Sequence, residues 1–197
     1  MSVVWAICGA GRGVGKTTLA FKLCALLPKS VYAKCGHGVP QEGKPANFFN
    51  TTAALDEFVQ SASGTAEHIV VESNAWVLGG NANIAIFIDG SPERGRLRHD
   101  AESLRRAAHL HVSAGATRAQ WLSTLEKLLP DERLAEPVCD LLSDQRNYLA
   151  RMQPEVRTKV WLESAGMRVF GNGLARLLKN VETMGTLGGA AGETGLS

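Results

Sequence analysis

Over the first 130 residues, short apolar runs alternate with stretches whose apolar positions recur at helical spacing. Val3 to Cys8 (VVWAIC) has no polar interruption, the pattern of a strand covered on both faces. A glycine-rich turn follows from Gly9 to Gly15, then a helix over Lys16 to Leu27, stopped by Pro28, whose ring cannot continue the hydrogen-bond ladder. A second strand is predicted at Ser30 to Lys34, and the Gly- and Pro-rich segment Cys35 to Asn50 reads as a long loop. Thr51 and Thr52 can cap a helix running to about Ser61. Glu67 to Glu72 (EHIVVE) and Asn83 to Asp89 (NIAIFID) are two further buried strands, parted by the turn GGNAN. A polar stretch carrying Arg94, Arg96, Arg98 and His99 leads to a helix near Asp100 to Ala108, a strand at His109 to Ser113 and a helix at Thr117 to Leu129. Strands alternating with helices predict an α/β fold in three layers, with a mostly parallel sheet and right-handed crossovers.

After Pro130 the pattern changes. Asp131 to Met152 is mainly helical, Pro154 marks a boundary, and Val156 to Glu163 with Met167 to Phe170 suggests a β-hairpin before a helix from about Leu174 to Met184. The expected organisation is a domain over 1–130, a helical linker over 131–155 and a small hairpin and helical segment over 156–197. No internal repeat is evident.

Composition narrows the class. A chain of 197 residues can hold one α/β domain of roughly 130–150 residues and an appendage. With 45% apolar and 20% charged residues it is not a chain disordered throughout. The balance of 21 basic against 19 acidic residues gives no charge-based ground for nucleic-acid or membrane binding. Cys8, Cys24, Cys35 and Cys139 form no CxxC pair, so reduced thiols are expected. Val3 to Cys8 is too short for a signal-peptide core or a membrane span, which predicts a cytoplasmic protein.

The chemistry concentrates in Ala10-Gly11-Arg12-Gly13-Val14-Gly15-Lys16-Thr17, a Walker A pattern with Ala for the first Gly, set between a strand and a helix. Glycines there let successive N–H groups turn inward around phosphates, and the helix N-terminus adds partial positive charge. The segment Gly11, Arg12, Gly13, Val14, Gly15, Lys16, Thr17 and Thr18 is therefore the expected nucleotide site, with Lys16 on the β- and γ-phosphates and Thr17 on Mg2+. Glu72, ending an apolar strand, is the expected second metal or water-orienting group; Asp89 competes for that role. Cys35 and His37 lie at the edge where α/β sheets bind ligands, yet two soft ligands alone make a poor metal site. Trp5, Trp76, Trp121 and Trp161 are scattered, as expected of packing residues. No Asn-Lys-x-Asp segment is present, so GTP and ATP both stay open.

These residues resemble the molybdopterin-guanine dinucleotide biosynthesis protein B family of small P-loop proteins, over the first 130 or so positions. The likeness lies in the loop from Gly9 to Thr18, in Lys34, His37 and Gly43-Lys44-Pro45, and in Val70-Val71-Glu72; Ser73-Asn74 stands where that family has glycine. The resemblance implies GTP binding with slow hydrolysis, a homodimer, and action with the molybdenum-cofactor nucleotidyltransferase. Val156 to Ser197 resembles the opening of the helix-turn-helix region of molybdate-responsive transcription regulators: RTKVWLE, RVFG, GLARLLKNVETMG and TLGGAAGETGLS. The chain stops at Gly195-Leu196-Ser197, where the recognition helix would begin, so no DNA binding is expected of it. The expected function is Mg2+-dependent GTP or ATP binding and slow hydrolysis in cofactor biosynthesis. The rivals are a nucleotide-sensing regulator with a truncated DNA-binding head, and a small-molecule kinase using Arg94, Arg96 and Arg98 as a lid.

Overall fold

The apolar run at the N-terminus forms strand β1 (Val3–Gly9), every residue of which is buried. The computed structural model describes residues 2–36, 47–90, 98–151, 162–164 and 167–169. After β1 come helix α1 (Lys16–Leu26), β2 (Ser30–Cys35), β3 (Phe48–Phe49), α2 (Thr52–Ala62), β4 (His68–Glu72), α3 (Asn74–Leu78) and β5 (Ile84–Ile88). Then follow α4 (Ala101–Ala107), β6 (Leu110–Val112), α5 (Arg118–Leu128), a 3-10 turn at Glu132–Leu134 and α6 (Ala135–Arg151).

The six strands form one sheet in the order β3-β2-β4-β1-β5-β6, with all pairs parallel. Residue parity divides the core. Trp5 and Ile7 of β1, Val70 of β4 and Ile84, Ile86 and Ile88 of β5 pack with Leu19 and Leu23 of α1, Trp121 and Leu125 of α5, and Val138, Cys139 and Leu142 of α6. Ala6 and Cys8, Ile69 and Val71, and Ala85 and Phe87 face the opposite way, toward Leu55 of α2, Trp76 and Val77 of α3 and Leu104 of α4. Helices therefore cover both sheet faces, which is why the strands read as continuous apolar runs. A fully buried side chain of this kind stabilises by about 1.5–3 kcal/mol, so Trp5, Ile7 and Ile86 in the centre anchor the fold.

Helix ends follow local chemistry. Leu27 and Leu129 turn extended (ψ 129° in both) before Pro28 and Pro130, whose rings exclude helical geometry from the preceding residue. Thr51 caps α2, Ser73 caps α3, and Thr117 with Gln120 forms a capping box on α5. Pro137 falls in the first turn of α6, where its missing N–H costs nothing.

Three expectations change. The segment 131–155 was expected as a linker, but Ala135, Val138, Cys139 and Leu142 of α6 fill the core beneath α1 and α5, and the first compact unit runs from Met1 to Pro154. The boundary at 130 thus moves to 154. Between β4 and β5 lies the five-residue helix α3 in addition to a turn, and the loop from Cys35 to Asn50 contains the short strand β3, paired with Lys34 and Cys35. The second unit, Glu155 to Ser197, holds the antiparallel pair β7 (Leu162–Ser164) and β8 (Met167–Val169). The expected helix from Leu174 to Met184 lies outside the described residues, as does Trp161. Among the described residues no helix is long and apolar enough to cross a membrane.

Candidate functional site

Strand β1 ends at the glycine-rich loop, and hydrogen bonds from three directions hold the loop's base. The Ala10 N–H donates to Ile88 O at 3.0 Å, and the Arg98 N–H donates to Ala10 O at 3.0 Å. The Asn74 side chain clasps Gly9 on both sides: its Oδ1 accepts the Gly9 N–H at 3.3 Å and its Nδ2 donates to Gly9 O at 3.1 Å. Gly9 must be glycine, because a Cβ there would sit 2.9 Å from Ile88 O and from the Val14 side chain.

Past this base, Gly13 (φ +73°) and Gly15 (φ +94°) take left-handed conformations that glycine adopts without strain. Val14 between them is buried in the core and pins the loop. Gly15 also meets α6, whose buried Gln145 donates from Nε2 to Val14 O at 3.1 Å. Unlike α2, α3 and α5, α1 begins with no side-chain cap. Its leading N–H groups therefore face the loop without a capping side chain.

Thr17, in the first turn of α1, donates from its hydroxyl to Glu72 Oε2 at 2.8 Å. Glu72, buried at the end of β4, also accepts from the Tyr32 hydroxyl on Oε2 at 2.7 Å and from Lys34 Nζ on Oε1 at 2.8 Å. Lys34 reaches Thr17 Oγ1 as well, at 3.3 Å. Burial and the bond to Glu72 hold the Tyr32 hydroxyl well above the ordinary phenol range. Lys16 donates to Gly11 O at 2.6 Å. Burial lowers its ammonium's pKa, Glu72 opposes that shift, and the nearby charges of Lys34 and Arg98 add to it. Arg98 is fixed by a two-point pair with Asp100 (2.9 and 3.1 Å), whose carboxyl it holds below the usual range.

Thr17 bonds Glu72 and Lys16 lies within reach of that carboxylate's charge, whereas Arg12 and Thr18 are exposed. Asp89, the rival acid, instead pairs with Arg105 of α4. His37, Gly43-Lys44-Pro45, Arg94 and Arg96 lie outside the described residues. Cys35 is half-buried, and burial raises its thiol pKa. Nothing in the sequence marks Tyr32, Asn74 or Gln145 for this site, and Lys34 carries no role there by sequence alone. A groove of about 340 Å³ elsewhere, between β6 and α5, is lined by His109 and His111, but both rings already bond to backbone, at Ala85 N and Arg105 O.

No three His, Cys, Asp or Glu side chains among the described residues are grouped to hold a metal by themselves. The hydroxyl of Thr17 beside the carboxylate of Glu72 suits a hard cation that takes most of its ligands from water and phosphate oxygens. A scan of protein-family models found no match to the chain, and neither did a search of curated proteins.

Proposed function

We propose that the chain is a P-loop protein that binds Mg2+ with ATP or GTP and hydrolyses the nucleotide slowly. The observation that carries this reading is the Thr17–Glu72 hydrogen bond of 2.8 Å, formed between the first turn of an uncapped helix and the end of the strand beside β1. Left-handed glycines before that helix and a desolvated lysine at its first position add support.

The charges call for an anion. Lys16 is partly desolvated, and the one carboxylate among its interacting charges, Glu72, is shared with Lys34. A triphosphate would supply the missing counter-charge, with the loop N–H groups and Lys16 taking its oxygens. Thr17 and Glu72 would hold Mg2+, Thr17 through its free lone pair and Glu72 directly or through water. When bound, the metal neutralises charge on the β- and γ-phosphates. Arg98, whose charge is felt at Lys16, is tied to Asp100, and Glu72 already accepts three hydrogen bonds, so unassisted turnover is slow; partners that supply charge accelerate P-loop switches by roughly 10³–10⁵. The resemblance to the molybdopterin-guanine dinucleotide protein B family supports a role for this activity in molybdenum-cofactor biosynthesis, with the nucleotidyltransferase as partner.

Calorimetric titration with GTP and with ATP, each with Mg2+, beside a Lys16→Ala variant, tests the reading. Binding to the wild type that is lost in a folded Lys16→Ala supports it. No binding of either nucleotide refutes it.

A further inference from the structure

We propose that Lys34 is a tethered cation that competes with Mg2+ for Thr17 and Glu72, so that metal binding must drive its ammonium off these two side chains. The inference rests on the nucleotide reading above and deepens it. Thr17 Oγ1 donates its proton to Glu72 Oε2 and accepts from Lys34 Nζ at 3.3 Å. The donated proton leaves metal binding unhindered, because a metal needs an oxygen lone pair. Lys34 occupies one of the two on Thr17 and sets a positive charge beside the other.

The same ammonium lies 2.8 Å from Glu72 Oε1, while Oε2 is taken by Thr17 and Tyr32. Lys34 therefore covers the one carboxylate oxygen that no hydroxyl uses. A divalent cation and an ammonium cannot share this spot, since their charges repel at contact distance in a poorly solvated site. Lys34 has somewhere to go. It sits at the end of β2 with its side chain 30% exposed, and its flexible stem can carry the charge from Glu72 to a phosphate oxygen. In that exchange Lys34 acts as a positioning residue for metal and as a phosphate contact afterwards.

Two effects of removing the charge follow. Without Mg2+, Lys34 is the cation that partly offsets the triphosphate, so metal-free affinity should fall. With Mg2+, the competitor is gone, so less metal should suffice. The test titrates a fluorescent N-methylanthraniloyl nucleotide into wild type, Lys34→Met and Lys34→Arg, in EDTA and over a Mg2+ series. In Lys34→Met the ratio of Kd in EDTA to Kd in Mg2+ should rise at least about tenfold, the scale of one charge-assisted hydrogen bond, and the Mg2+ midpoint should drop. Lys34→Arg, which keeps the charge, should stay near wild type. If Lys34→Met loses its cooperative thermal transition, Lys34→Gln carries the same comparison. A ratio and midpoint unmoved in the neutral variant, with wild type binding nucleotide, overturn the competition alone; wild type that binds no nucleotide overturns it together with the reading it rests on.

Discussion

Replacing Gly15 with alanine probes the junction between the glycine-rich loop and α6. Two costs are legible in the structure. At φ +94° an alanine is held in left-handed geometry, at about 1–2 kcal/mol. Its Cβ would also lie 2.4 Å from Gln145 Nε2 and 3.3 Å from its Cδ, so the glutamine must withdraw from Val14 O. Leaving that carbonyl and amide unpaired in a buried setting costs about 1–3 kcal/mol more. Gly15→Ala should therefore destabilise by roughly 2–5 kcal/mol and Gln145→Ala by roughly 1–3 kcal/mol. The double variant pays the backbone strain and the loss of Gln145 only once each, because the collision has no second partner. The coupling should come out at about 1–3 kcal/mol in favour of the double variant, well above the ~0.3–0.5 kcal/mol scatter of independent sites. Urea unfolding followed by the fluorescence of the buried Trp5 and Trp121 measures all four proteins. Additivity would refute the contact between α6 and the loop, and with it the account of why residue 15 is glycine.

Tyr32→Phe removes one of the two hydroxyl donors on Glu72 without changing charge, and should lower urea stability by about 1.5–3 kcal/mol, the range for a hydrogen bond to a charged group; a loss below the error of the fit would show that bond to be idle. Buried His68 accepts the Trp5 indole N–H on Nδ1 at 3.2 Å, and burial lowers its pKa, so the folded state stays neutral where the unfolded chain protonates. Its stabilising contribution is complete above pH 6.5 and is lost as pH falls from there through the lowered folded value, so melting temperature should drop between pH 7 and 5 more steeply in wild type than in His68→Gln.

Which elements were legible depended on how much of their environment is local. β1, β4 and β5 announce themselves because both faces are buried, and Lys16, Thr17 and their glycines because a strand-loop-helix spacing surrounds them. Helix α3 escaped notice since five residues between the Ser73 cap and Gly79 give no helical period, and its Trp76 and Val77 look like stray apolar residues. In α6 the stripe Ala135, Val138, Cys139, Leu142 has i, i+3, i+4, i+7 spacing, yet nothing in it says that the face belongs against α1 rather than against a later domain. Gln145 touches a loop 131 residues away, and no pattern within α6 marks it. Tyr32 and Lys34 were readable as strand residues; that both converge on Glu72 depends on how β2 aligns with β4.

That alignment is what makes the site. In parallel strands, paired residues project to the same face, and the register Lys34↔Glu72 and Ile7↔Glu72 puts Glu72 with Ile7 on the side covered by α1, where Thr17 waits. A slip of one residue would turn Glu72 to the α2 face and present Val71 to Thr17 instead. Hydrophobic pattern alone cannot prevent such a slip, because β4 is apolar on both faces. Two Lys–Glu pairs with the same sequence separation of 38 bracket the β2–β4 ladder: Lys29–Glu67 at its start and Lys34–Glu72 at its end. The first is exposed and adds little to stability, but in any shifted register neither lysine meets its glutamate, and the second would leave Glu72 buried without its cation. The contact that assembles the candidate metal position thus also selects the register that creates it, which ties Lys34 to folding as well as to Mg2+ and explains why its neutral replacement must be judged by the metal dependence rather than by stability.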